Sequence, residues 1–214
     1  MADRCKTKRS NENFNVNTTR KPGPLSSFGN RPFCPGNLND RFDSHPNSLW
    51  DISKNARLKQ LEIIDFSKLN EIRDLSKAQQ IEVLKLEGGI EKKLNIRTLK
   101  PLFVLTNLQY LRLANLKVED DTLQPLAELK NLNELWLSNQ FETKEFAWLA
   151  TRLPNTKCNM FQAISKVNIT GLNQELVWDT MVTGRKKPFL LSTRDQSKID
   201  KYTNDFEKLK TRLA

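Results

Sequence analysis

Residues 105–139 read LTNLQYLRLANLKVEDDTLQPLAELKNLNELWLSN, a stretch that says nearly the same thing twice. Leu105, Asn107, Leu108, Leu111, Leu113 and Asn115 recur 24 residues later as Leu129, Asn131, Leu132, Leu135, Leu137 and Asn139. Self-similarity at a fixed period of this length restricts the chain to a stacked architecture. One unit alone holds too few large apolar side chains to offset the ordering of its own backbone. Neighbouring units must therefore share one continuous core.

The common frame is L-x-x-L-x-L. It fits at Leu58-Leu61-Ile63, Ile81-Leu84-Leu86, Leu108-Leu111-Leu113 and Leu132-Leu135-Leu137, with starts separated by 23, 27 and 24 residues. Alternation inside each run puts the fourth and sixth residues on one face, the signature of a half-buried strand. Between the runs the apolar spacing lengthens: Leu69, Ile72 and Leu75; Leu99 and Leu102; Leu123 and Leu126; Phe146, Leu149 and Leu153. Each unit is thus predicted to be a short strand followed by a return segment with one apolar side.

Over about residues 55–163 these segments resemble leucine-rich repeats, and the chain is similar to short bacterial-type cytosolic proteins of that family. A degenerate last unit begins at Leu153-Pro154-Asn155-Thr156, where Asn159 takes a place held elsewhere by leucine. The resemblance implies an α/β solenoid of about 4–5 repeats with parallel strands lining its concave face. It also implies the work of scaffolds, receptors and inhibitors rather than catalysts. One departure stands out. The family's usual asparagine at the ninth position is replaced here by Phe66, Gly89, Leu116 and Gln140, while Asn115 and Asn139 come one residue early. The turn geometry is expected to differ accordingly.

Three regions follow from the pattern. Residues 1–45 are rich in Asn, Pro, Gly and Ser and poor in aliphatic side chains, so they are predicted to be mostly disordered. Residues 46–164 form the repeat domain. Residues 165–214 are predicted to be a cap, because a solenoid needs its last apolar face covered. There, apolar runs flank Thr183-Gly184-Arg185-Lys186-Lys187, which predicts a hairpin with a basic turn. Ser192 and Asp195 then read as a capping box. Ile199, Tyr202, Phe206 and Leu209 recur on one face of a following helix.

The net charge of +10 lies mainly in the flanks. Residues 1–45 carry 8 Lys/Arg against 4 Asp/Glu and residues 165–214 carry 10 against 6, while the middle has 17 against 15. No window approaches the roughly 18 consecutive apolar residues of a membrane helix, and no apolar core follows the basic residues of MADRCKTKRSNENFN. The expected setting is cytoplasmic, without membrane contact. The three cysteines, Cys5, Cys34 and Cys158, are too few and too scattered for a disulfide framework.

Catalysis is constrained by scarcity. The single histidine, His45, sits in the Asn/Pro-rich segment, and no metal-ligand spacing or phosphate-binding glycine loop occurs. Cys34 and His45 are the only nucleophile–base pair available, in a segment with nothing to hold their geometry. Gly88-Gly89 and the acidic run Glu119-Asp120-Asp121 read as turns. No cofactor or metal is expected.

The concave surface is the better candidate. If Leu61, Ile63 and their counterparts point inward, the intervening residues form three outward columns across strands spaced about 4.8 Å apart. These are Gln60, Val83, Tyr110 and Glu134; Glu62, Lys85, Arg112 and Trp136; and Ile64, Glu87, Ala114 and Ser138. Trp136 beside Arg112 and Tyr110 combines the residue types that dominate binding hot spots, and Lys85, Glu87 and Glu134 complete the candidate protein-binding set. A simple cation–π contact covering the sheet is the plainer role for Arg112 and Trp136. Trp148 and Trp178 read as core or cap residues. Arg185, Lys186 and Lys187 are candidates for contact with phosphate or an acidic partner. The expected partner of this monomer is a protein or peptide; association with nucleic acid through the basic flanks ranks second.

Overall fold

The computed structural model describes residues 12–17, 49, 52, 55–66 and 68–214. Its strands, in chain order, are β1 (Glu12–Asn17), β2 (Leu58–Ile64), β3 (Val83–Glu87), β4 (Leu94–Ile96), β5 (Tyr110–Ala114), β6 (Leu116–Val118), β7 (Glu134–Leu137), β8 (Lys157–Cys158), β9 (Ile164–Thr170), β10 (Leu176–Val182) and β11 (Phe189–Leu190). The two α-helices are α1 (Thr143–Arg152) and α2 (Ser192–Leu213). The strands β1-β2-β3-β5-β7-β8 form one sheet in that order, and every pairing in it is parallel.

Parallel pairing is what a chain must adopt when each strand is followed by a long return segment rather than a tight turn. The inward residues stack in rows. Leu61, Leu84, Leu111 and Leu135 are register partners, as are Ile63, Leu86, Leu113 and Leu137, and all eight are at most 1% exposed. The apolar residues of the returns meet them from the other side: Leu69, Ile72, Leu75, Leu99, Leu102, Leu123, Leu126, Phe146 and Leu149 join the same core.

The returns are tighter than their spacing suggested. The first three are 3₁₀ turns at Arg73–Lys77, Lys100–Leu102 and Gln124–Glu128. Two of these carry proline in their first positions, which fixes φ and withholds an N–H from a longer helix. Only the proline-free, alanine-bearing TKEFAWLATR extends into an α-helix, α1.

The repeat of Asn107 and Asn131 has a structural cause. The turn before each of β2, β3, β5, β7 and β8 closes through a three-residue backbone bond, at Leu58, Ile81, Leu108, Leu132 and Thr156, which gives five such units among the described residues. Asn107 Nδ2 donates to the Gln79 carbonyl at 3.0 Å and Asn131 Nδ2 to the Thr106 carbonyl at 2.8 Å. Each amide therefore ties its turn to the turn of the unit before it. In the last unit Thr156 Oγ1 donates to Leu132 O at 2.7 Å instead.

The displaced asparagines resolve the departure noted above. At the end of the concave strands Asp65 and Asn115 adopt positive φ, 62° and 44°, a conformation their side chains tolerate. Asn115 Nδ2 donates to the Gly89 carbonyl of the previous unit, so the turn bond is kept one residue early. Close approach explains Gly88: a Cβ there would stand 2.1 Å from Asn115 O and 2.6 Å from Leu94 N, both backbone atoms. Beyond this turn β4 and β6 pair as a second, two-stranded parallel sheet.

The cap departs from expectation in three respects. Strand β9, which the hairpin reading omitted, lies antiparallel to β10 and makes the cap sheet three-stranded in the order β11-β10-β9. The predicted β10–β11 hairpin is present, with Thr180 opposite Leu190. The Ser192–Asp195 capping box is replaced by a different arrangement: Ser192 donates through N and Oγ to the Asp179 carboxylate of β10. Asp195, whose backbone is non-helical, accepts from Leu191 N instead, at 3.3 Å. Trp178 belongs to the cap but lies 37% exposed beside Phe189, at 6.0 Å between ring centroids. Trp148 packs against the main core.

Helix α2 holds the cap in place. Ile199 joins Val182 and Leu190 in a small cluster with Ile164 and Tyr202, while Phe206 enters the main core. Asp195 is buried and bonded to Lys198, Leu191 N and Arg194. Those donors, Lys198 foremost, hold its carboxyl at about 2, below the ordinary 3.8. A depressed folded-state value adds stability above the unfolded value and loses it as pH falls through the folded one. The stability difference between wild type and Asp195→Asn is therefore expected to persist above about pH 4 and to vanish near pH 2. Urea titrations across that window measure it.

Of residues 1–45 only Glu12–Asn17 is described, as the edge strand β1 with Phe14 opposite Leu61 and Val16 opposite Ile63. The expectation of disorder for the rest of that segment, and the Cys34/His45 pair, lie outside the described residues.

Candidate interaction surface

Residues that alternate with the buried rows necessarily line the opposite, concave side of the sheet. The register places them in straight columns. Gln60, Val83, Tyr110 and Glu134 are successive partners, as are Glu62, Lys85, Arg112 and Trp136, and Ile64, Glu87 and Ala114. Ser138 extends the third column, its N–H donating to Leu113 O at 3.1 Å.

Five units in one register, inward leucines behind parallel strands and short 3₁₀ returns settle the architecture. The fold is a leucine-rich-repeat solenoid. No family model matches the sequence and no curated protein matches it. Among solved structures, the chain is similar to internalin C2 from Listeria monocytogenes, at 28% identity and a TM-score of 0.40, covering 50% of this chain and 43% of that one. It is also similar to the leucine-rich-repeat ectodomain of the receptor kinase SOBIR1 from Arabidopsis thaliana, at 20% identity and a TM-score of 0.39, covering 52% and 59%. The chain thus spans about half the length of these structures.

On the solenoid's concave face the charged residues engage one another across strands. Gln60 Nε2 donates to Glu62 at 2.8 Å, and Lys85 Nζ pairs with Glu62 at 2.7 Å. That bond from Glu62 raises the Lys85 ammonium above its ordinary range. Arg112 Nε pairs with Glu87 at 2.7 Å, and its guanidinium carbon lies 4.0 Å from the centroid of the Trp136 ring. The Glu87–Arg112–Trp136 chain crosses three strands. These ion-paired side chains are about one-tenth to one-third exposed, so each ion pair adds little stability but restricts its rotamers. The cation–π cover is therefore present, and it leaves Trp136 and Tyr110 partly accessible.

The basic turn is separate from this face. Arg185 pairs with Asp121 at 2.7 Å and lies 3.5 Å from Glu142, so it bridges the acidic turn and the start of α1. Lys187 Nζ sits 5.5 Å above the Tyr202 ring. Lys186 alone of the three is exposed with no described partner. Two of the three candidate phosphate contacts are thus engaged within the fold. Asn139 holds this loop to the solenoid, donating to Val182 O at 2.8 Å and accepting from Gly184 N at 2.6 Å.

Sequence reasoning overlooked a second polar feature. Lys59, Glu82, Gln109, Asn133, Lys130 and Asn155 border an open depression of about 630 Å³ beside the turns that precede the strands. Its one legible signal was the repeated asparagine. Burial pushes the Cys158 thiol up to about 12, which leaves it un-ionised and a poor nucleophile. Among the described residues no three His, Cys, Asp or Glu side chains converge on a common point, and no helix is long and apolar enough to cross a membrane.

Proposed function

We propose that this chain is a non-enzymatic interaction module that binds a protein or peptide through its concave face, as a cytoplasmic, monomeric scaffold. The observation that carries this reading is the cluster of Tyr110, Arg112 and Trp136 on adjacent central strands, braced by Glu87. Aromatic and arginine side chains are the usual anchors of interfaces. Bracing lowers the ordering cost of binding, because the side chains already occupy one geometry. Lys85 and Glu134 flank the cluster and supply charge around it. Association with nucleic acid through the basic flanks stays second, since Arg185 and Lys187 are engaged within the fold.

The test is a pull-down from nuclease-treated lysate of the source cell, comparing wild type with the double variant Arg112→Glu/Trp136→Ala. Both positions face solvent, so circular dichroism of the variant is expected to be unchanged. A protein recovered by wild type and reduced at least tenfold with the variant is the expected result. Equal recovery, or loss of every partner on nuclease treatment, would move the function to the basic flanks.

A further inference from the structure

We propose that the concave face takes a basic side chain of its partner, an arginine or lysine, seated against Tyr110 and Trp136 and paired to Glu134. The proposal rests on the concave-face reading above and names the chemistry that face selects. It follows from which charges the fold leaves unused.

The concave columns hold three acids, Glu62, Glu87 and Glu134, and three bases, Lys85, Arg112 and Lys157. Glu62 is taken by Lys85 and Glu87 by Arg112, each at 2.7 Å. Arg112 is the cation a sequence reading would offer to an acidic partner, yet its charge is already met by Glu87 and its flat face by Trp136. Glu134 is different. It is exposed and its carboxylate has no described hydrogen bond or ion pair, although Lys157 stands opposite it on β8.

Aromatic neighbours decide between these two free charges. Tyr110 stands directly opposite Glu134 on β5, and Trp136 lies two residues along β7 on the same side of the strand. Ring faces attract cations and disfavour anions, and a carboxylate beside two rings adds to the same preference. Trp136 already accepts one guanidinium, that of Arg112, which shows the ring in this role. An acidic partner reaching for Lys157 would have to bring its charge beside Glu134 and the rings. The sheet also ends next door, because β8 has only two residues and Asn159 turns its side chain back onto Leu137 N and O at 3.1 and 2.9 Å. No further strand closes that flank of the site among the described residues.

The experiment uses the full chain and three synthetic peptides, acetyl-Gly-Leu-X-Leu-Gly-amide with X as Arg, Gln or Glu. The readout is the Trp136 indole N–H resonance, assigned by its absence in Trp136→Phe. The arginine peptide is expected to shift that resonance with the lowest Kd, and the glutamate peptide with the highest. Glu134→Gln is expected to weaken the arginine peptide roughly fivefold, and Lys157→Gln to tighten it, as for exposed charge pairs. Both positions are exposed, so both variants should keep the wild-type spectrum elsewhere. A glutamate peptide that binds at Trp136 as tightly as the arginine peptide would overturn the proposal while leaving the concave face as the binding surface. Unchanged arginine-peptide affinity in Glu134→Gln, or weaker affinity in Lys157→Gln, would overturn it as well. If no peptide moves the resonance the proposal also fails, and the lysate experiment alone then judges the concave face.

Discussion

Phe206→Ala is expected to lower stability by about 3–5 kcal/mol, the usual cost of removing a buried phenylalanine. Phe206 is 1% exposed and belongs to the core that also contains Phe146 and Leu149 of α1. Two turns earlier on the same helix, Ile199 belongs to the separate cluster of the cap sheet. Helix α2 thus spans two cores, and Phe206 anchors it to the solenoid end. Its loss leaves a cavity and frees the last unit's apolar side, so the variant should also self-associate with rising concentration. Urea unfolding reads the first effect and size-exclusion chromatography the second. A loss below about 1 kcal/mol, within the range of ordinary surface substitutions, would mean that α2 does not serve as the cap.

Leu111→Ala should cost about 2–5 kcal/mol, while Arg112→Ala one residue on should cost less than about 1 kcal/mol. Leu111 is fully buried in the middle of its row, between Leu84 and Leu135. A void there weakens both interfaces of the third unit, and neither half of the stack has a complete core without the other. Arg112 faces the other way, in an ion pair about one-third exposed. Equal losses from the two variants in denaturant titrations would contradict the alternation on which the concave columns depend.

The strand rows and the three concave columns were legible because each repeats at the same offset within its unit. A one-residue slip would have buried Lys85 and Arg112 and exposed Leu84 and Leu111. Pro101 and Pro125 sit in two of the returns that stay short, a signal the apolar spacing did not use, and Arg73–Lys77 forms the same turn without proline. Strand β9 escaped notice because its pairing with β10 is broken twice by register shifts, which disrupts the alternation of Ile164, Val167 and Ile169. Strand β1 hid in an Asn-rich segment, where Phe14 and Val16 were the only apolar signal of ENFNVN. The contacts that fasten the cap join residues 40 or more positions apart, such as Asn139 to Val182 and Arg185 to Asp121, and no local pattern announces them. In the candidate site the residues were visible, but their pairing was not. That Glu87 takes Arg112 while Glu134 stays free depends on side-chain reach between strands, which spacing alone does not encode.

The concave face is most directly tested by placing p-benzoylphenylalanine at Tyr110 in the source cell and irradiating. The half-exposed Phe103, on the return side of the preceding unit, serves as the control position. A discrete protein adduct from position 110, resistant to nuclease and absent from position 103, is the predicted result. An adduct from position 103 with none from 110, or no protein adduct from either, would contradict a partner bound on the concave face.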